Sequence, residues 1–291
     1  MIDEHVSLSR YTTIGTGGPA RWFAQPGSIE ELQETLRWAV QHGVAVEAIG
    51  LGSNLLVHDD GVDALVLKLA GELASAQVEG DTLVAGGGAS NAVCVHRARA
   101  AGLGGFEFAS AIPGTAGGGV RMNAGAYGLE WRDVLIDAVV VDAQRVRTLV
   151  PAELELSYRH SGLLPGEVVA QARFRLEPST VEAVKERGRE LLMERKATQP
   201  TNKRTFGSVF KNPGAGPGAG SLIEECGLKG QRIGGARISP RHANFIENPG
   251  GATSADCIAL METARRRVRE RFGVVLEHEV RFLGPLQLDD V

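Results

Sequence analysis

The sequence predicts a mixed α/β protein of two or three domains. Its 291 residues exceed the roughly 100–200 residues of a single domain. Capped helical segments alternate along the chain with short Val- and Leu-rich segments of strand character. Its 38 glycines gather in short runs between these segments. A hydrophobic content of 43% is typical of a globular protein with a buried core.

Charge and cysteine content argue against several classes of protein. A net charge of −4 lacks the basic domain or stripe of a nucleic-acid binder. The three cysteines are far apart, and neither they nor the seven histidines have the spacing of a disulfide framework or a metal site. The N-terminus has no signal-peptide pattern, and no apolar run approaches the ~18 residues of a membrane span. We therefore expect a cytoplasmic, monomeric protein without a metal.

The first elements lead into a short glycine motif. Ser28 and Glu31 form a capping box for a helix that ends at Gly43, and an apolar strand follows over residues 44–49. The next residues are Gly-Leu-Gly-Ser-Asn-Leu, residues 50–55. Leu55 stands where a dinucleotide-binding fingerprint needs its third glycine, so a Rossmann interpretation is weak. Backbone N–H groups of such a turn still form an anion-binding nest, which suits a pyrophosphate.

The centre of the chain holds a run of small residues from Ser110 to Gly128. Strands are predicted over residues 64–69 and 82–85, with a helix capped by Ser90 before the run. Its six glycines are interleaved with alanines, Ile112, Pro113, Val120 and Met122. A flexible linker would be more polar, so we favour a buried loop that lies against a large flat ligand.

The remaining pattern indicates strands, then a charged helix, then a further α/β unit. A change in composition after residue 197 indicates a domain border. The arginines of residues 265–271 are interpreted as a solvated helix face. Strands are predicted over 131–141, 144–150, 167–176, 243–248 and 274–283, and helices over 180–196, over 221–226 and from Thr253 or Ser254.

Three polar residues stand out as candidates for chemistry: Arg159, Ser208 and Glu279. Each alone has an ordinary explanation as a surface cation, a turn hydroxyl or a strand-edge carboxylate. Together they supply a planar fork for a carboxylate, a proton donor and an orienting carboxyl group.

Eight motifs resemble, in order and over nearly the whole chain, those of the MurB family of UDP-N-acetylenolpyruvoylglucosamine reductases. They are Gly-Leu-Gly-Ser-Asn-Leu from Gly50, Ile-Pro-Gly-Thr-Ala-Gly-Gly-Gly from Ile112, Asn-Ala-Gly-Ala-Tyr-Gly from Asn123, Tyr-Arg-His-Ser from Tyr158, Gly-Ser-Val-Phe-Lys-Asn-Pro from Gly207, Ala-Gly-Ser-Leu-Ile-Glu-Glu-Cys-Gly-Leu-Lys-Gly from Ala219, Arg-His-Ala-Asn-Phe-Ile-Glu-Asn from Arg241 and Glu-Val-Arg from Glu279.

The resemblance implies an FAD-binding fold of the vanillyl-alcohol-oxidase (PCMH) type. Residues 1–69 and 70–197 would form two FAD-binding domains, and residues 198–291 a substrate-binding α/β domain. NADPH would reduce FAD, which would pass a hydride to the enolpyruvyl group of a UDP-sugar in peptidoglycan synthesis. The chain resembles the shorter class of the family, which lacks an extra tyrosine-bearing loop.

The resemblance also implies residue roles. Ser208 would protonate the substrate carbon, and Arg159 and Glu279 would stabilise the enolate-like intermediate; Glu279 is preferred over Glu277 because it lies in the matching Glu-Val-Arg run. Tyr158, Lys211 and Asn212 are candidates for substrate binding. The implied cofactor-binding residues are Gly50, Leu51, Gly52, Ser53, Asn54, Leu55, Ile112, Pro113, Gly114, Thr115, Gly118, Asn123 and Gly125.

One departure and two competing functions stay open. Thr198 replaces a family lysine, so Arg195, Lys196, Lys203 or Arg204 would have to supply that phosphate-binding cation. One competing function is a flavin oxidase of the same fold acting on a sugar or alcohol. The other is a UDP-sugar-binding protein that has lost catalysis.

Overall fold

The fold, from a computed structural model that describes residues 1–289, contains helices and strands in alternation. The α-helices are α1 Ile29–Gln41, α2 Asn91–Ala100, α3 Ala116–Arg121, α4 Trp131–Val134, α5 Val181–Thr198, α6 Ala219–Glu225 and α7 Ser254–Phe272. Single 3-10 turns lie at Leu8–Tyr11, Gly71–Ala74 and Glu107–Ala111.

The strands are short, and most belong to antiparallel sheets. They are β1 Ile2–Ser7, β2 Pro19–Ala24, β3 Val46–Ile49, β4 Leu55–Val57, β5 Val62–Lys68, β6 Ala76–Glu79, β7 Thr82–Gly86, β8 Leu103–Gly104, β9 Gly125–Ala126, β10 Leu129–Glu130, β11 Leu135–Val141, β12 Val146–Leu149, β13 Val168–Arg175, β14 Glu177–Pro178, β15 Thr205–Ser208, β16 Arg232–Ile233, β17 Ala236–Ile238, β18 Phe245–Glu247 and β19 Arg281–Leu283.

Side-chain caps begin three of the predicted helices, α1, α2 and α7. Ser28 accepts a hydrogen bond from the N–H of Glu31 at 3.2 Å, and Ser90 caps α2 in the same way. The Glu31 carboxylate bonds the N–H of Gly27 at 2.7 Å, so the predicted capping box is displaced by one residue. Thr253 and Asp256 form a complete capping box at α7. These caps satisfy N–H groups that lack partners within a helix.

The first of two compact units comprises Met1–Glu4, Trp22–Leu51 and Ala64–Arg195. Its largest sheet is five-stranded, in the order β12-β11-β13-β7-β6, and its strands pair antiparallel. The rings of Phe106, Phe108, Trp131 and Phe174 pack together in its main core. A second cluster places apolar residues of α1 against β5, which pairs in parallel with β3.

The second unit comprises His5–Arg21, Gly52–Asp63 and the chain from Lys196 onwards. A four-stranded sheet in the order β15-β18-β17-β16 packs with α6 and α7, and β19 pairs in parallel with β4. Ile14 and Leu56, from the N-terminal segments, are fully buried in the same cluster as residues of α7. The predicted domain borders after residues 69 and 197 stay a prediction.

Three sequence-based element assignments are wrong in part. Residues 131–134 form the helical turn α4 instead of the start of a strand, because Glu130 and Asp133 make a capping box and the Trp131 ring is buried. The predicted strand over residues 274–283 is reduced to β19. The predicted loop over residues 110–128 contains α3, whose first turn is capped by Thr115.

Candidate active site

The Gly50–Leu55 segment presents backbone where side chains cannot be accommodated. In the first unit, a Cβ atom on Gly50 would lie 2.7 Å from Oγ1 of Thr115. In the second unit, Gly52 has φ +67° and its Cβ would lie 2.0 Å from the carbonyl oxygen of Tyr11. Both positions therefore require glycine, whereas the Leu51 side chain between them is 41% exposed.

Gly119 and Gly118, in the Gly-rich run, have different surroundings. A Cβ on Gly119 would lie 2.3 Å from the Trp131 ring, so the flat partner of this glycine is an indole of the protein itself. Gly118 is exposed, and the nearest atom to its Cβ position is Oγ1 of Thr115 at 3.3 Å. Of these two glycines, Gly118 is the one that leaves backbone accessible to a ligand.

An unsatisfied buried acceptor lies beside this run. Asn91 donates its side-chain N–H to the carbonyl of Ile112 at 2.8 Å, and its backbone N–H to the carbonyl of Gly114 at 3.0 Å. Its Oδ1 atom is buried and has no hydrogen-bond partner within residues 1–289. Since buried polar atoms are normally paired, this acceptor fits a ligand or water that donates a hydrogen bond. Sequence reasoning missed Asn91, which looks like an ordinary first residue of a helix.

Arg159 lies in a strained tight turn. Ser157 and His160 exchange backbone hydrogen bonds of 3.1 and 3.0 Å, and Arg159 between them has φ +56°. Nη2 of its guanidinium donates to the carbonyl of Gly125 at 3.1 Å. The guanidinium carbon, Cζ, lies over the half-exposed Tyr158 ring, 4.8 Å from the ring centroid. Left-handed backbone costs a non-glycine residue about 1–2 kcal/mol, and such strain clusters at functional sites.

Ser208 follows a glycine bulge. β15 pairs with β18 at Thr205↔Glu247 and at Ser208↔Phe245, so the register shifts by one residue between the two pairs. Gly207 has φ +82°, the left-handed conformation of a bulge residue. A bulge turns the next side chain away from the regular alternation of the strand, and the Ser208 hydroxyl is half-buried at that point.

Hydrogen bonds join Ser208's strand, Glu279 and Asn54 within the second unit. The backbone N–H of Glu279 donates to the carbonyl of Val209 at 2.8 Å, and Nδ2 of Asn54 donates to the carbonyl of Glu279 at 3.1 Å. The hydroxyl of Thr13 lies within hydrogen-bond distance of the carbonyl oxygens of Gly52 and Thr205, at 3.1 and 2.6 Å. Three sequence-predicted residues, Asn54, Ser208 and Glu279, are thus brought together.

Two family models match separate parts of the chain. Residues 20–145 match the FAD binding domain model, and residues 199–283 match the model described as the UDP-N-acetylenolpyruvoylglucosamine reductase C-terminal domain. Two similar proteins are the UDP-N-acetylenolpyruvoylglucosamine reductase of Rubrobacter xylanophilus, 46% identical over 95% of this chain and 93% of its own length, and reductase 2 of Symbiobacterium thermophilum, 44% identical over 95% and 90%.

The chain belongs to the UDP-N-acetylenolpyruvoylglucosamine reductase family. A solved structure of the family, MurB from Thermus caldophilus, covers 98% of this chain and 100% of its own with a TM-score of 0.86 at 38% identity. Membership confirms the predicted FAD-binding fold and the prediction of a flavin-dependent reductase. It disfavours the flavin oxidase.

For this family member the structure also separates Glu279 from Glu277. Residues 274–280 lie outside β19, so the two carboxylates do not belong to a common strand. The Glu277 side chain is 71% exposed and pairs with Nζ of Lys211 at 2.5 Å, whereas Glu279 is half-buried. Oδ1 of Asn212 accepts from the N–H of Ala219 at 3.0 Å, at the start of α6. Lys211 and Asn212 therefore have protein partners, and their substrate contacts stay predictions.

Tyr127 and Arg195 form a further polar pair in the first unit. The Tyr127 hydroxyl donates to the carbonyl of Leu191 at 2.9 Å. Burial, with the negative charge of Glu194, raises the pKa of Tyr127, and burial lowers the pKa of Arg195. Arg195, which is half-buried, is one of the four cations considered for the phosphate groups.

Within residues 1–289, no three His, Cys, Asp or Glu side chains are grouped as metal ligands. The three cysteines carry free thiols. None of the described helices is long and apolar enough to cross a membrane.

Proposed function

We propose that this chain reduces the enolpyruvyl ether of UDP-N-acetylglucosamine to UDP-N-acetylmuramate, with NADPH as the reductant. We further propose that it does so in the cytoplasm as a monomer. The observation that carries the residue roles is the set of hydrogen bonds joining Asn54, Glu279 and the strand of Ser208. These bonds join the backbone of Glu279 to that of Val209, the residue after Ser208, and to the side chain of Asn54 in the predicted cofactor segment.

The residues of the glycine segments fit an FAD molecule. Gly50 and Gly52 offer backbone N–H groups for its pyrophosphate, together with Leu51, Ser53, Asn54 and Leu55. The exposed backbone at Gly118 and the unsatisfied Oδ1 atom of Asn91 fit a flat ring with N–H groups. Ile112, Pro113, Gly114, Thr115 and Gly125 complete this lining. FAD held by these residues and reduced by NADPH would supply the hydride for the methylene carbon of the substrate.

Ser208 would give its hydroxyl proton to the neighbouring substrate carbon, which becomes negatively charged as the hydride arrives. Its position after a bulge fixes that hydroxyl on a short strand instead of a mobile loop. Arg159 would bind the substrate carboxylate, where negative charge develops, through its planar guanidinium. Glu279 would stabilise the enolate oxygen through the O–H of its protonated carboxyl group, because an ionised carboxylate can only accept a hydrogen bond.

The outer parts of the substrate need further contacts. Tyr158 offers an exposed ring next to Arg159. Lys211 and Asn212 would bind the diphosphate or sugar, and Lys211 would exchange its Glu277 partner for a phosphate oxygen. This exchange is feasible because an exposed ion pair contributes only about 0–1 kcal/mol.

An anaerobic absorption experiment tests the proposal. The flavin bands should bleach with NADPH and return when the enolpyruvyl UDP-sugar is added. In Ser208→Ala, NADPH should still bleach the flavin bands. Their return after addition of the sugar should slow by about 10²–10⁴-fold, the usual contribution of a proton donor. Ser221→Ala, at an exposed hydroxyl of the same unit, should leave both steps unchanged.

Three results would contradict the proposal in different ways. A wild-type protein that takes up no FAD would contradict the cofactor assignment. Bleaching that oxygen reverses and the sugar does not would indicate an oxidase. Sugar binding without any return of the flavin bands would indicate a binding protein that has lost catalysis.

A further inference from the structure

Arg159 is held at both its turn and its tip by one short hairpin. The tip of its side chain donates to the carbonyl of Gly125, in β9. The base of its turn, the carbonyl of Ser157, accepts from Nδ2 of Asn123 at 3.0 Å. Asn123 lies two residues before Gly125, so both contacts depend on the same backbone segment.

Asn123 is the junction of this arrangement. Its side chain is fully buried, and its backbone has φ +37°. Oδ1 accepts from the N–H of Arg132 at 3.0 Å, and Nδ2 donates to Ser157 and to Oε2 of Glu130 at 2.9 Å. One acceptor and two donors are thus all used, which fixes the orientation of the amide.

Glu130 closes the network from the opposite strand. It pairs with Gly125 in the β9–β10 register, so its backbone is adjacent to the carbonyl that receives Arg159. Its side chain is 17% exposed, and Oε2 also forms an ion pair with Nε of Arg132 at 2.8 Å. Without this carboxylate, one N–H of the buried Asn123 amide has no acceptor, and a buried unsatisfied donor is costly enough to displace the amide.

We propose that Glu130 is a positioning residue for catalysis: through Asn123 it holds the Ser157–His160 turn in the conformation that aims Arg159. The inference rests on the proposed function, because it takes Arg159 to be the substrate-binding cation. Arg159 has a strained backbone, so loss of the anchor at Ser157 lets the turn relax and moves the guanidinium. A displacement of about 1 Å is enough to slow a reaction about 10²-fold.

Single-turnover kinetics of the two half-reactions test this role. In Glu130→Ala, NADPH should reduce the flavin within about twofold of the wild-type rate, while reoxidation by the enolpyruvyl UDP-sugar slows about 10–100-fold. Glu130→Gln keeps an acceptor within reach of Asn123 and should regain most of that rate. Glu130→Asp keeps the charge beside Arg132 but shortens the reach, so it should be slower than Glu130→Gln. This order also decides the matter if Glu130→Ala does not fold.

A matched control and a double variant separate positioning from stability. Asp133→Ala removes the carboxylate that caps the N–H of Glu130 at 2.8 Å without touching Asn123. It should lower the unfolding temperature and leave both half-reactions within about twofold of wild type. In an Arg159→Ala background, Glu130→Ala should slow reoxidation by less than about twofold, because groups acting through one another are not additive.

Three results would overturn the inference. One is a double variant in which Glu130→Ala slows reoxidation by the same factor as it does in the wild-type background. The others are a Glu130→Asp variant that is faster than Glu130→Gln, and reoxidation at the wild-type rate in Glu130→Ala. Wild-type reoxidation in Arg159→Ala alone would instead refute the role of Arg159 in the proposed function, and the positioning role with it. Equilibrium binding of the enolpyruvyl UDP-sugar, measured by calorimetry, should weaken in parallel with reoxidation.

Discussion

Replacing Gly207 by alanine tests whether the bulge in β15 sets the position of Ser208. The residue has φ +82°, a conformation that costs an L-residue about 1–2 kcal/mol. The added Cβ would lie 3.1 Å from the carbonyl oxygen of Ser53, so that oxygen must yield by a few tenths of an ångström. Together these effects predict that the free energy of unfolding falls by about 1–3 kcal/mol.

Gly273→Ala is the matched control for backbone strain. Gly273 ends α7 in the same unit with φ +69°, and no atom lies within 4 Å of its Cβ position. Its replacement should cost about 1–2 kcal/mol in the free energy of unfolding and leave Ser208 in place. In contrast, Gly207→Ala should also slow reoxidation of the reduced flavin by the enolpyruvyl UDP-sugar about 10²-fold.

Urea unfolding gives the stability of each variant, and anaerobic stopped-flow absorption gives the rates of both half-reactions. The opposite result would be a Gly207→Ala variant that is destabilised as much as Gly273→Ala but whose flavin is reoxidised at the wild-type rate. That result would mean that the bulge is a backbone feature without influence on the serine.

Two further predictions concern pH and thiol reactivity. The N–H groups of Thr253 and Gly235 hold the pKa of Asp256 below its usual 3.8, so its stabilising contribution is present above that value and disappears as the pH falls through the folded-state pKa. Asp256→Asn should therefore lower the free energy of unfolding at neutral pH but not in strong acid. Urea titrations at both pH values check this. An equal loss of unfolding free energy at both pH values would contradict it. Burial raises the pKa of Cys94 and of Cys257 to about 12, so iodoacetamide near pH 8 should modify at most Cys226 in the native protein and all three thiols in urea. Mass spectrometry counts the adducts, and native labelling of Cys94 would contradict the assigned burial.

Local signals predicted those elements that local chemistry decides. The caps at Ser28, Ser90 and Thr253 begin helices because their side chains satisfy backbone N–H groups a few residues away. The helical turn at Trp131 was missed because its burial among aromatic rings, which no local pattern reveals, outweighs strand propensity. Pairing partners far along the chain likewise determine that β19 is only three residues long.

Family motifs were enough to predict individual residues of the candidate site. They did not predict the hydrogen bonds between residues that are distant in the sequence. Ser208 and Glu279 were named from motifs, yet nothing in the sequence shows that Asn54 bonds the carbonyl of Glu279. Glu130 and Asn91 went unnoticed because a glutamate after a turn and an asparagine at a helix start are common in proteins. Their burial and their partners, not their spacing, make them candidates.

The discontinuity of the second unit has a consequence for synthesis. Ile14 and Leu56 are buried with side chains that follow residue 205, such as Phe206 and Leu260. At about 5–20 residues per second, roughly 8–50 seconds pass between the synthesis of these two residues and that of their partners. A chain cut short before Lys196 keeps them in contact with water permanently. The apolar surface of Ile14 and Leu56 therefore depends on segments made much later for its burial.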